Sequence, residues 1–192
     1  MKVLLINGSP RENGNTFTAL SEVAKTLNSE GISTEIISIG KKAVQGCIAC
    51  GMCGRTGKCT FNDDLYYKVL RAVKDGIDGL IVGSPVYYGG PNGSLCALLD
   101  RVFYSLGPDL QYKPGASVVV CRRGGATAAF DRLQVLHDDE HAAGQLAVLE
   151  LGLWSDTWAG STGRGGYADD ANPRTQHGLV AEEIEYRRGK YP

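Results

Sequence analysis

An α/β fold built on a doubly wound parallel sheet is the class this sequence predicts, and three observations carry it. Apolar runs too short for helices recur at Val3–Ile6, Leu80–Gly83 and Ser117–Cys121, bounded by turn residues as doubly buried strands are. Segments with apolar residues at helical spacing lie between them, so strand and helix alternate along the chain. Each run leads into a polar, glycine-bearing loop, and in such sheets ligands sit beyond the carboxyl ends of the strands.

The elements follow in order. Val3-Leu4-Leu5-Ile6 is the first strand. Phe17, Leu20, Ala24 and Leu27 mark the helix behind it, with Asn15 or Thr16 expected as its cap. Gly31 is the expected stop of that helix, and Thr34–Ile39 reads as the second strand. A cysteine-rich loop comes next. Asp63 or Asp64 is placed to cap a helix carrying Leu65, Val69 and Val73 at four-residue intervals. The third strand, Leu80–Gly83, runs into a long turn from Ser84 to Gly93 with two adjacent tyrosines. Leu95, Leu98, Leu99, Val102, Phe103 and Leu106 then form an amphipathic helix, and Ser117–Cys121 a fourth strand. The result is a three-layer α/β/α arrangement with the cysteine loop after the second strand.

With 192 residues the chain predicts one domain, large enough to bury about 70% of its unfolded surface. A net charge of -1 leaves no basic field for nucleic acid and no membrane-surface patch. The opening apolar run is too short for a signal peptide and no long apolar segment follows, so a cytoplasmic protein is expected. Six cysteines in a reducing compartment favour metal or redox use over disulfides.

Three post-strand loops face one edge of such a sheet. The first, Asn7 to Thr16, enters a helix N-terminus, where free N–H groups and the positive end of the helix dipole make an anion cradle. Ser9, Asn13, Asn15 and Thr16 add side-chain donors and Arg11 a fixed charge. The loop lacks the Lys-Ser/Thr of a triphosphate loop and the three-glycine dinucleotide fingerprint. It suits a small phosphate, and an ordinary strand-to-helix connection is the plainer alternative. The second loop, Pro85-Val86-Tyr87-Tyr88-Gly89, has aromatics that could stack on a flat ring. The third offers Arg122 or Arg123 and the backbone N–H groups of Gly124 and Gly125 to a ring that becomes anionic on reduction. Cys96 and Cys121 read as packing residues.

Asn7-Gly8-Ser9-Pro10-Arg11, with Gly14-Asn15-Thr16, resembles the phosphate loop of the flavodoxin-like NAD(P)H-dependent FMN reductase family. The run from Ser84 to Arg101 resembles that family's isoalloxazine loop and following helix, departing at Cys96, where Lys is common. The resemblance covers residues 1 to about 133. It implies a flavodoxin-like sheet with bound FMN. The cofactor would be held by Ser9, Arg11, Asn13, Asn15 and Thr16, and by Pro85, Val86, Tyr87, Tyr88, Gly89, Arg122, Gly124 and Gly125. It also implies a homodimer or homotetramer with FMN near a subunit boundary.

Cys47, Cys50, Cys53 and Cys59 are spaced x2, x2, x5. Three thiols two residues apart let a short loop curl around one cluster, and the fourth closes the cage after a glycine-rich turn. Compact runs of this kind bind iron–sulfur clusters. Structural zinc more often uses two separated Cys-x2-Cys knuckles, and metal-free thiols are a third reading. The motif resembles that of iron–sulfur flavoproteins, a branch of the same superfamily, and implies a [4Fe-4S] cluster on these four cysteines. Ile48, Ala49 and Met52 would shield it from water.

The expected function is that of an FMN-dependent oxidoreductase. It would pass electrons between a reduced donor (NAD(P)H or ferredoxin), FMN and the cluster to small acceptors. The alternatives are a cluster-free NAD(P)H:FMN or quinone reductase, a non-enzymatic flavodoxin-like carrier, and a zinc-stabilised binding module. Flavin chemistry needs no side-chain acid or base here, so no catalytic residue is assigned.

Beyond Leu133 the chain changes character. All three histidines (His137, His141, His177) and both tryptophans (Trp154, Trp158) lie there, and no lysine occurs between Lys113 and Lys190. Leu146–Leu149 is the candidate fifth strand, while Asp169 to Gly178 offers no apolar helical stripe. His137-Asp138-Asp139-Glu140-His141 reads as a solvated charged stretch rather than a metal site. Back-translated with one consistent choice among the permitted codons and read one base forward, Gln134 to Glu185 gives a different string, the alternative being a genuine divergent tail. That string has a strand-like segment, a Ser-Ser-Gln-Tyr-Trp turn and a Leu/Met-rich amphipathic helix, and it resembles the ordinary ending of the FMN reductase family. A one-base frame slip near codon 134 is therefore the expectation for residues 134–192.

Overall fold

The computed structural model describes residues 1–61, 63–122, 124–138 and 151–154, with side chains to Leu133. In order they form β1 (Lys2–Asn7), α1 (Asn15–Ser29), β2 (Ser33–Ser38), α2 (Met52–Thr56), α3 (Asp64–Lys74) and β3 (Gly79–Tyr87). Then follow β4 (Gly90–Pro91), α4 (Gly93–Leu110), β5 (Gly115–Cys121), α5 (Ala126–Asp138) and β6 (Leu151–Trp154). The parallel sheet runs β2-β1-β3-β5-β6, the order of a doubly wound fold whose switch point lies between β1 and β3.

Strand alternation divides the core into two layers, as the apolar runs require. Leu4 and Ile6 of β1 join a cluster with Val69 and Val73 of α3, Leu98 and Val102 of α4, and Phe130 and Leu133 of α5. Val3 and Leu5 face the other way, onto Leu20, Val23 and Leu27 of α1. No helix among the described residues is long and apolar enough to cross a membrane.

Two expectations need correction. The N-cap of α1 is Gly14, with no side-chain cap bond; Asn15 opens the helix rather than capping it, and Thr16 lies within its first turn. The polar loop, not a capping side chain, therefore leads into the helix. The long turn after β3 is a hairpin: β3 runs on to Tyr87 and pairs antiparallel with β4, Tyr87 opposite Gly90. Its tip, Tyr88 (φ 51°) and Gly89 (φ 79°), has the two left-handed residues that favoured two-residue hairpins use. The predicted strand 146–149 lies outside the described residues, and the strand beside β5 is Leu151–Trp154. The rest of the tail assignment also lies outside them.

Other expectations hold to within a residue. Gly31 (φ 77°) ends α1, its N–H reaching the Asn28 carbonyl at 3.1 Å and that of Ile32 the Leu27 carbonyl at 2.9 Å. Asp63 caps α3 by accepting from the Tyr66 N–H at 3.0 Å. On α3 the buried face is Tyr66, Val69, Ala72 and Val73; Leu65 is only half-buried.

Candidate functional site

The loops after β1, β3 and β5 lie side by side because these strands are neighbours in the sheet. The first is tied down from within. Asn7, fully buried, donates to Ser38 Oγ at 3.1 Å and accepts from the Ser9 N–H at 3.1 Å. Ser9 Oγ in turn accepts from the Arg11 N–H at 3.2 Å. The Gly8 N–H donates to the Gly83 carbonyl at 2.7 Å, and a Cβ at Gly8 would stand 2.6 Å from that oxygen. Only glycine lets the loop cross β3 this closely.

Of the residues predicted to hold a phosphate, Ser9 and Thr16 are buried, whereas Arg11, Asn13 and Asn15 are exposed. Thr16 is 2% exposed, and its hydroxyl has no hydrogen-bond partner among the described residues. Buried hydroxyls are ordinarily paired. This one sits in the first turn of α1, where backbone N–H groups lack intrahelical acceptors and the dipole favours an anion.

The second and third loops touch each other. Gly125 (φ 86°) lies so near the hairpin that a Cβ there would be 2.8 Å from Gly89 Cα and 3.2 Å from Val86 Cγ1. Pro85 and Val86 are half-buried, Tyr87 is exposed and Tyr88 projects fully into solvent at the hairpin tip. Arg122 and Gly124 are exposed beside them. Ser84, fully buried, accepts from the Asn92 N–H at 3.0 Å, and Asn92 caps α4 through the Ser94 N–H at 2.8 Å. The hairpin is thus held at its root by Ser84 and Asn92 and flanked at Gly89 by Gly125, with the Tyr88 side chain exposed.

All four predicted metal cysteines line one cavity of about 130 Å³, walled otherwise by Ile48, Phe61, Tyr104 and Arg101. Cys47 and Cys50 are exposed; Cys53 and Cys59 are half-buried. Among the described residues no three His, Cys, Asp or Glu side chains gather as a single-ion site. The thiols surround a space instead of converging on a point. Ile48 and Met52, expected as a shield, are themselves exposed at the rim.

The residue that sequence reading missed is Arg101. Its side chain is fully buried; Nε donates to Cys59 Sγ at 3.3 Å, one terminal nitrogen to the Gln45 carbonyl at 3.3 Å and the other to the Phe61 carbonyl at 3.3 Å. That last nitrogen also pairs with the Asp63 carboxylate. The guanidinium stacks 4.8 Å from the Tyr66 ring centroid. Burial works against its charge, but the hydrogen bonds it donates to Cys59 and Asp63 outweigh that and hold its pKa above the ordinary arginine value. The Cys59 N–H donates to Tyr66 Oη at 2.9 Å, and that hydroxyl meets Ser105 Oγ at 2.7 Å. A signal existed: Leu98, Arg101 and Ser105 share one helix face, so the charge lies on the apolar side of α4.

The remaining thiols behave as the packing residues expected. Burial raises the pKa of Cys96, with Arg132 opposing, and burial raises that of Cys121.

A family model described as NADPH-dependent FMN reductase matches residues 1–146. An iron–sulfur flavoprotein of Methanocaldococcus jannaschii is 40% identical over 136 residues, 69% of each chain. One of Methanosarcina thermophila is 32% identical over 154 residues, 77% of each chain. Among solved structures, a flavone reductase superposes with a TM-score of 0.68 at 16% identity, covering 98% of this chain and 63% of its own. A flavodoxin from the domain Archaea superposes with a TM-score of 0.59 at 14% identity, covering 98% of this chain and 99% of its own. These two structures establish the shared flavodoxin-like fold.

Proposed function

The chain belongs to the NADPH-dependent FMN reductase family, and on that premise we propose an electron route of donor, flavin, cluster and small acceptor. The chain is an FMN-dependent oxidoreductase. The finer route begins at NAD(P)H or reduced ferredoxin, passes through FMN and a [4Fe-4S] cluster on Cys47, Cys50, Cys53 and Cys59, and ends at quinones or similar small oxidants.

The observation that carries the flavin site is the Thr16 hydroxyl, buried and without a partner among the described residues, in the first turn of α1. A phosphate oxygen is the acceptor such a group lacks, and the helix N-terminus favours its charge. Bound FMN supplies hydride or electron-pair acceptance and single-electron release. The chain's own share is binding and orientation. Ser9 and Thr16 would hold the phosphate with Arg11, Asn13 and Asn15 at the rim. The hairpin would cover the ring with Tyr87 and Tyr88. Gly124 and Gly125 would direct N–H groups at its polar edge, where negative charge develops.

The donor set also fits a cluster. Four thiols surround one cavity, the Ala49 N–H donates to Cys47 Sγ at 3.4 Å and Arg101 to Cys59 Sγ. In a cubane each thiolate binds a different iron, so ligands spread around a space suit it. The relatives, named iron–sulfur flavoproteins, support the same reading. A homo-oligomer in a cytoplasmic setting completes the proposal, with the cysteine segment carrying electrons towards a neighbouring subunit.

Anaerobic purification with a flavin spectrum and an iron and zinc count tests it. The expected result is bound FMN, four irons per chain lost on Cys50→Ser, and turnover with NADPH or reduced ferredoxin. Bound FMN and turnover without iron would support the cluster-free reductase. FMN without turnover would point to a carrier, and zinc without flavin to a binding module. Failure of apoprotein to bind FMN in titration calorimetry would overturn the flavin site.

A further inference from the structure

We propose that Arg101 is a positioning residue for the cysteine cradle, gripping both of its ends and donating directly to the Cys59 sulfur; this rests on the cluster reading above. Its three nitrogens are divided among four partners in one stretch. Gln45 precedes the first thiol, Phe61 and Asp63 follow the last, and Cys59 lies between. A single buried cation on α4 therefore closes a loop that spans all four cysteines. The planar, forked guanidinium can meet these directions together, which a lysine ammonium cannot.

Cys59 is the best-held of the four thiols. Its sulfur takes the Arg101 hydrogen bond at 3.3 Å and its N–H is anchored on Tyr66 Oη at 2.9 Å. Tyr66 and Arg101 are both buried, whereas Cys47 and Cys50 stand exposed on the other side of the cavity. The two anchors do different things. Tyr66 fixes backbone; Arg101 alone puts a positive charge and a donor against sulfur. One-electron reduction of a [4Fe-4S] cluster adds one negative charge, and hydrogen bonds to ligand sulfur and local net charge set its potential. Arg101 therefore favours the reduced cluster. Asp63 offsets part of that charge, but its carboxylate is 40% exposed while the Arg101 side chain is fully enclosed.

The test compares Arg101→Met, Arg101→Lys and Tyr66→Phe in the full-length protein, reconstituted anaerobically with iron and sulfide. Midpoints come from redox titration followed by electron paramagnetic resonance, and iron loss is timed against a chelator. Arg101→Met is expected to disfavour reduction at least tenfold, 59 mV for a one-electron couple. Arg101→Lys should fall between it and the parent, keeping charge but losing the fork. Tyr66→Phe should release iron faster without moving the midpoint. Unchanged midpoints in both Arg101 variants would overturn the inference, as would equal shifts in Arg101→Lys and Tyr66→Phe, which mean general loosening. If Arg101→Met does not fold, the comparison of Arg101→Lys with Tyr66→Phe decides alone. Parent protein that takes up no iron sinks the cluster reading and this inference with it, whereas a loaded parent with unmoved variants sinks this inference only.

Discussion

Thr16→Val should move two measurements in opposite directions. Thr16 is 2% exposed, its hydroxyl has no partner among the described residues, and burying an unsatisfied hydroxyl costs roughly 1–3 kcal/mol. Valine has nearly the same shape, is β-branched too and has a similar helix propensity. Apoprotein should therefore gain about 1 kcal/mol of stability when the hydroxyl is removed. With FMN present the balance reverses, because the hydroxyl would donate to a charged phosphate oxygen. Hydrogen bonds to charged groups contribute roughly 1.5–3 kcal/mol, so FMN should bind about ten- to a hundredfold more weakly. Riboflavin, which has no phosphate, should bind parent and variant alike. Urea unfolding of apoprotein and flavin fluorescence titration read both quantities. A fall in apoprotein stability would mean the hydroxyl is satisfied within the fold. Equal losses for FMN and riboflavin would mean it acts somewhere other than the phosphate.

Substitutions at two further positions probe the supports. Gly125→Ala forces a side chain into left-handed backbone and 2.8 Å from Gly89 Cα, at a combined cost of about 2–5 kcal/mol. Urea unfolding should show that loss and FMN titration a weaker affinity; a variant within 0.5 kcal/mol of the parent, on the order of an ordinary surface change, would deny the contact between the two loops. Asp63→Ala removes both the α3 cap and the partner of Arg101, for a loss of about 2–3 kcal/mol after allowing for the exposed carboxylate. Asp63→Asn should recover about 1 kcal/mol of it by restoring the cap; equal losses in the two variants would show that the cap contributes nothing.

What the sequence made legible was what depends on local pattern. Val3–Ile6 had to be a buried strand because nothing polar interrupts it, and a cap at Asp63 or Asp64 was readable because a helical stripe starts just after them; the fold uses Asp63. Gly31 was readable for the same kind of reason, since a helix ends most easily on a left-handed residue. The cysteines were legible as a group from spacing alone, and they do surround one cavity. Arg101 was not, because its partners Gln45, Cys59 and Phe61 lie 42 to 56 or 40 residues away and three of its bonds run to backbone carbonyls or sulfur. Pairings of that kind exist only after the fold has formed. The hairpin escaped for a related reason: Tyr88 at φ 51° is a conformation that side-chain type argues against, and only the pairing of Tyr87 with Gly90 imposes it.

The frame-slip proposal bears on the face of the sheet that carries α1. Among the described residues α3, α4 and α5 fill one face, while α1 is the one helix on the other, where Val3, Leu5, Ile81 and Val118 are buried. A parallel sheet needs both faces covered along its full width. Residues 169–178 lack the apolar stripe a second helix would need there, whereas the string read one base forward contains one. Against this, the chain as written does supply an edge strand, Leu151–Trp154, paired with β5. Sequencing the encoding DNA across codons 134 to 185 separates the readings, and a one-base slip near codon 134 is expected. Restoring the frame should then raise the unfolding midpoint and tighten FMN binding, because the restored ending offers an apolar helical stripe to the face that carries α1. An intact frame, together with independently obtained relatives that carry this same tail, would refute the slip and make the polar ending a feature the fold must accommodate.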